Sequence, residues 1–85
     1  MISISSIRYL GAYEVELTFN SGASATIDLF NELTGEIFEP LKSIEFFKQV
    51  YLNPDTGTIE WPNGADFAPE FLLELAKQQE HLHVA

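Results

Sequence analysis

Residues 12–29, AYEVELTFNSGASATIDL, decide the fold class. Tyr13, Val15, Leu17 and Phe19 alternate with Glu14, Glu16, Thr18 and Asn20. Successive strand side chains point to opposite faces, so this period of two predicts a strand with one buried side. Ala23, Ala25, Ile27 and Leu29 repeat the pattern against Ser24, Thr26 and Asp28. Between the two runs, Asn20, Ser21 and Gly22 predict a hairpin turn, with glycine taking the left-handed backbone that other residues avoid.

Upstream, Ile2 and Ile4 share one parity while Ile7 and Tyr9 share the other, so a flat strand would expose half of them. A bulge near Ser5 and Ser6, inserting one extra residue, brings all four to one side. Gly11 and Ala12 then turn the chain, and residues 2–29 read as a three-stranded antiparallel meander.

Downstream, the apolar spacing changes to three and four at Phe30 and Leu33, then Phe38, Leu41, Ile44 and Phe47, which is helical or turn-like. A short helix is expected over 43–49. Ser43 would be its N-cap, the hydroxyl accepting a free first-turn amide, and Glu45 sits near the positive helix end. In VYLNPDTGTIEW, residues 50–61, two β-rich runs flank a turn of Asn53 to Gly57, predicting a hairpin that joins the meander or forms a small second sheet. A final helix begins at Pro69, whose missing N–H costs nothing in a first turn and which pushes Ala68 to the extended conformation of a cap. Phe71, Leu72, Leu75 and Ala76 are its expected buried stripe. The fold class is therefore α+β: a meander, a short helix, a second hairpin and a C-terminal helix in one domain over residues 1–85.

Composition agrees with one small packed domain. Apolar residues make up 46% of the 85 and aromatics 13%, so a core can form without disulfides or cysteine-bound metal, cysteine being absent. Such a chain buries roughly 60% of its unfolded surface and belongs at the lower end of the ~5–15 kcal/mol stability range. No apolar run approaches a membrane span, and the N-terminus lacks the pattern of a signal peptide, so a cytoplasmic protein is expected. Thirteen acids against four bases give a net charge of −9. That charge repels nucleic acid and anionic membranes; its plain reading is a soluble acidic surface, and its alternative is attraction of a basic protein partner.

Candidate chemistry gathers in TIEWPNGADFAPEFL, residues 58–72. As function, this segment presents an aromatic and two acids, making Trp61, Pro62, Asn63, Gly64, Asp66 and Glu70 the candidate interaction residues. As structure, Trp61 anchors a core, Pro62 to Gly64 set a turn, and Asp66 bonds the free helix amides. The structural reading explains every position without a ligand.

Acids also recur at spacings of three and four at Asp28, Glu32, Glu36 and Glu39, which thirteen acids in 85 residues produce by chance. Glu80, His81 and His83 could clip a metal from one strand face, but chain ends fray and a solvated or partner-ordered tail is expected. There is no G-x-S-x-G elbow and no phosphate-cradling glycine loop, so no catalytic residue, cofactor or metal is assigned.

The Leu41 to Phe47 segment with its Phe pair, Thr-Ile-x-Trp-Pro-Asn-Gly-x-Asp at Thr58 to Asp66, Ala-Pro-Glu at Ala68 to Glu70, and Ile-Asp-Leu at residues 27–29 carry a family likeness. The chain resembles the small bacterial family catalogued as domain of unknown function 2442. The resemblance implies an α+β fold of two small antiparallel sheets with helices, and no reaction. It also implies proteins that stand alone or are fused to a helix-turn-helix module, often in toxin-antitoxin-like gene pairs. No helix-turn-helix pattern lies within these 85 residues, so direct operator binding is not expected. The leading expectation is an interaction module, the acidic antitoxin-like half of a two-protein system, with homo-oligomerisation through a sheet edge a further partner mode. The alternatives are an accessory or oligomerisation domain of a transcriptional regulator, and a minimal metal-dependent hydrolase using Glu60, Asp66 and Glu70.

Overall fold

The computed structural model describes residues 1–79, 82 and 83, the last two by backbone alone. Strands β1 (Ile4–Gly11), β2 (Glu14–Phe19) and β3 (Ser24–Asp28) form the expected antiparallel meander. In β1, Ile4 pairs with Phe19 and Ser6 with Thr18, leaving Ser5 as the extra residue of a bulge. The Ser5 hydroxyl donates to the Thr18 and Phe19 carbonyls at 3.1 and 3.3 Å, which holds the distortion in place. Ile4 is thus buried while Ile7 and Tyr9 pack half-buried on the same core. Val15, Leu17, Phe19, Ala25, Ile27 and Leu29 complete the inward face, and the charged and hydroxylated residues between them face out.

Past β3 the chain runs through 3-10 helices at Phe30–Glu32 and Glu36–Lys42 into α1 (Ile44–Phe47). Pro40 has no N–H to donate and its ring crowds the preceding turn, so the longer of the two stays 3-10 rather than α-helical. The helix is shorter than the expected 43–49. Ser43 occupies the N-cap position with φ −75° and ψ 121°, but its hydroxyl makes no cap bond. Its backbone is already held at both ends: the N–H donates to the Pro40 carbonyl, and its own carbonyl accepts the Phe46 and Phe47 N–H groups at 3.0 and 2.8 Å.

Strands β4 (Tyr51–Asn53) and β5 (Thr58–Glu60) make a separate two-stranded sheet rather than extending the meander. Gly57 closes their turn with φ +74°, and its carbonyl accepts the Ile4 N–H at 2.7 Å, docking the hairpin against β1. Helix α2 (Pro69–Gln78) starts where expected, with Ala68 extended at its N-cap. Leu72, Leu75 and Ala76 are buried, whereas Phe71 is 40% exposed, contrary to the expected stripe. Successive helical residues turn by 100°, so a stripe centred on Leu72, Leu75 and Ala76 leaves Phe71 at its border.

The C-terminal tail is not simply solvated: β6 (Leu82–His83) pairs with Ala25 and Ser24, adding a fourth strand in the order β1-β2-β3-β6. Three residues before β6, the Gln79 side-chain amide accepts from Asp28 N–H at 3.0 Å and donates to the Asp28 carbonyl at 2.9 Å, standing in for a strand residue. The β3 edge is therefore partly occupied by the chain itself, which blunts edge-to-edge pairing. Glu80 and His81 of the candidate metal clip lie outside the described residues. No helix among the described residues is long and apolar enough to cross a membrane.

Candidate functional site

The W-P-N-G-x-D segment joins β5 to α2, and its backbone accounts for its sequence. The Trp61 N–H donates to the Ala65 carbonyl and the Gly64 N–H to the Trp61 carbonyl, both at 2.9 Å, closing a tight loop. Gly64 supplies φ +89°. The Asn63 carboxamide works in two directions: Oδ1 accepts from Ala65 N–H at 3.1 Å, an Asx turn, while Nδ2 donates to the Ile37 carbonyl at 2.9 Å. The loop is thereby tied to the 3-10 segment more than twenty residues earlier in the chain.

Trp61 is fully buried, with its Nε1–H donating to the Phe47 carbonyl at 2.8 Å. Its side chain is a core anchor and cannot be an exposed contact. Its ring lies 5.5 Å from Phe47 and edge-on to Phe67 at 5.8 Å. Phe67 in turn stacks on Phe38 at 4.9 Å and on Phe71 at 5.7 Å, with interplanar angles of 19° and 17°. This aromatic chain carries the core out to the surface, where Phe71 and Ile37 are exposed and Phe38 half-buried.

Pro62, Asn63, Gly64, Asp66 and Glu70 are all on the surface. Asp66 does not cap α2: its backbone bridges antiparallel to Glu60, and no side-chain bond caps the helix. That bridge holds Asp66 in extended conformation two residues ahead of Ala68, which occupies the cap position. Among the described residues the carboxylates of Asp66 and Glu70 have no hydrogen-bond or ion-pair partner, whereas Glu60 is fully engaged. Glu60 accepts from the Thr56 hydroxyl at 2.8 Å and from Asn53 Nδ2 and the Tyr51 hydroxyl at 3.2 Å each. The Thr56 bond first, then that of Asn53, holds the Glu60 pKa below the ordinary glutamate value, while Tyr51 is raised chiefly by donating to Glu60.

Glu60, Asp66 and Glu70 are therefore not assembled as a metal cluster; among the described residues no group of three His, Asp or Glu is placed to hold an ion. Of the acids at helical spacing, Asp28 accepts from Phe30 N–H at 2.9 Å and Glu39 pairs with Lys42 at 2.9 Å. What the arrangement can do is present exposed and half-buried apolar side chains, two of them stacked on Phe67, with acidic residues next to them in the chain.

Sequence reasoning placed the loop but missed Ile37, Phe38 and Phe71 as its surface companions. The available signal was Ile37, an apolar residue off the Phe38, Leu41, Ile44 spacing and so without a place on that buried stripe. A family model described as Protein of unknown function (DUF2442) matches residues 4–78. No curated protein and no solved structure matches the chain.

Proposed function

The chain belongs to the DUF2442 family of proteins of unknown function, and from that premise we propose that it is a protein–protein interaction module, the acidic antitoxin-like half of a two-protein system with a more basic partner. One observation carries the reading: the domain uses up its own positive charge. Arg8, Lys42 and Lys48 pair with Glu16, Glu39 and Glu45 at 3.0, 2.9 and 2.6 Å. Of the four bases only Lys77 has no ion pair among the described residues.

These pairs are largely solvated and add little to stability, but they leave most of the thirteen acids without a counter-charge inside the domain. The uncompensated field attracts a basic protein and speeds its encounter, and it opposes binding to phosphate backbones. The domain acts as a binder rather than an enzyme on this reading, since Glu60, the central acid of a hydrolase alternative, is committed to bracing its own hairpin. The cytoplasm is the proposed location, supported by an N-terminal stretch without the charged region and apolar run of a signal peptide.

The test is a tagged pull-down from native cells at low and high salt, with mass spectrometry of retained proteins. The expected result is a stoichiometric basic protein lost at high salt. Asp66→Lys with Glu70→Lys should weaken its retention and flatten the salt dependence. Recovery of no stoichiometric protein partner would overturn the reading.

A further inference from the structure

We propose that Ile37, Phe38, Pro62 and Phe71 form a docking surface for a short cationic segment of another protein, whose apolar side chains seat on the exposed rings and whose Lys or Arg residues meet the surrounding acids. The proposal rests on the reading of the domain as a binder of basic proteins and goes beyond it by naming the surface and the chemistry of the segment.

The apolar part is built rather than incidental. Ile37 is 48% and Phe71 40% exposed, yet neither stands alone: Phe38 and Phe71 stack on the same buried ring, Phe67. The Asn63 carboxamide ties the Ile37 backbone to the loop residue that follows Pro62 through its bond to the Ile37 carbonyl. Phe38 and Phe71, already held by their stacking on Phe67, lose little conformational freedom on binding, which favours affinity for the size of the surface.

Charge selects the occupant. Glu36 and Glu39 flank Ile37 and Phe38 in the chain, Asp66 precedes Phe67, and Glu70 and Glu74 lie beside and one turn beyond Phe71 on α2. Of these five acids only Glu39 is in an ion pair among the described residues. A second copy of this chain would bring the same net charge of −9 to the surface, and nucleic acid or an anionic bilayer would bring phosphate. Each is repelled, whereas a cationic protein segment is drawn in.

The experiment uses the full chain and two labelled synthetic peptides of equal positive charge, read by fluorescence anisotropy at low salt. One peptide carries Leu and Phe between its Lys and Arg residues, and in the other those apolar positions are Ser. Wild type is compared with Phe71→Ser, Ile37→Ser and the outer-face control Glu14→Gln, with thermal unfolding confirming that each variant folds. Phe71→Ser and Ile37→Ser remove exposed side chains, and the pair keeps the test informative should one of them fold poorly.

The expected result is tighter binding of the amphipathic peptide, weakened about tenfold by Phe71→Ser and by Ile37→Ser, as for truncation of an interface anchor. Glu14→Gln should leave it nearly unchanged, and the Ser peptide should be indifferent to both apolar variants. Amphipathic binding unaffected by both apolar variants would overturn the docking surface while leaving the basic-partner reading intact. Failure of both cationic peptides to bind would overturn that reading and the surface together. Self-association of the free protein that Phe71→Ser abolishes would make a second copy the occupant and refute the charge argument.

Discussion

Replacing Trp61 with Ala tests whether the W-P-N-G segment is first a structural hinge. The side chain is fully buried, contacts Phe47 and Phe67, and donates its indole N–H to the Phe47 carbonyl at 2.8 Å. Loss of so large a buried ring costs about 3–5 kcal/mol. At ~0.05–0.15 kcal/mol per residue, a domain of this length has about 4–13 kcal/mol in total, so at the lower end of that range the variant is left marginal or unfolded. With an m-value of roughly 1 kcal/mol/M in urea for a small domain, the midpoint should fall by about 3 M or more, or the transition should vanish. Trp61→Phe separates the two contributions: it keeps a ring in the cavity but removes the indole donor from the Phe47 carbonyl, which still accepts the Val50 N–H at 3.2 Å, a loss of about 0.5–1.5 kcal/mol. The transition is followed by far-UV circular dichroism, because Trp61 is the single tryptophan and its fluorescence goes with it. A Trp61→Ala midpoint within about 0.5 M of wild type would refute the assignment of this residue to the core.

Two further predictions concern the second hairpin. Because the folded pKa of Glu60 is lowered, its stabilising effect is complete above the unfolded-state value and is lost as pH falls through the ordinary glutamate range to the lower folded value. Urea unfolding across acidic pH should therefore show wild type losing more stability than Glu60→Gln in that window, and parallel curves would show that the carboxylate is not braced by Thr56 and Asn53. Gly57→Ala forces a Cβ into φ +74° and to 3.1 Å from the Ser3 Cβ, whereas Gly64→Ala at φ +89° meets nothing within 4 Å. Both should lose about 1–2 kcal/mol from backbone strain, with Gly57→Ala the worse of the two in chemical denaturation; equal losses would mean that the hairpin does not press on the N-terminus.

The fold was legible where local rules and packing agree. The alternation of residues 13–29 needed only the strand period, and the parity clash between Ile4 and Ile7 called for the bulge that Ser5 makes. Pro69 marked the start of α2 because its chemistry is local. Errors fell where a residue had two competing uses. Ser43 and Asp66 have side chains suited to caps, but in both cases backbone bonding fixed the residue before the side chain was needed. The tail could not be read as a strand because its pairing partner, β3, lies more than fifty residues away in sequence. The site was half legible for the same reason: the loop is a local motif, while Ile37 and Phe38 reach it only through Asn63 and Phe67.

That dependence on Asn63 and Phe67 explains why hinge and binding surface need not be rival readings of one segment. Trp61 points inward and sets where Phe67 lies; Phe67 sets where Phe38 and Phe71 emerge; Asn63, two residues from Trp61, sets the backbone of Ile37. A loop that only turned the chain would need Gly64 and the Asx bond to Ala65, and both are met without the second half of the Asn63 carboxamide. The bond to Ile37 is the extra commitment, and what it holds is the backbone of an exposed aliphatic residue that precedes Phe38 in the chain. The segment thus extends the core to the surface, where Phe38 and Phe71 keep the positions that stacking on Phe67 gives them and Ile37 the backbone that Asn63 holds.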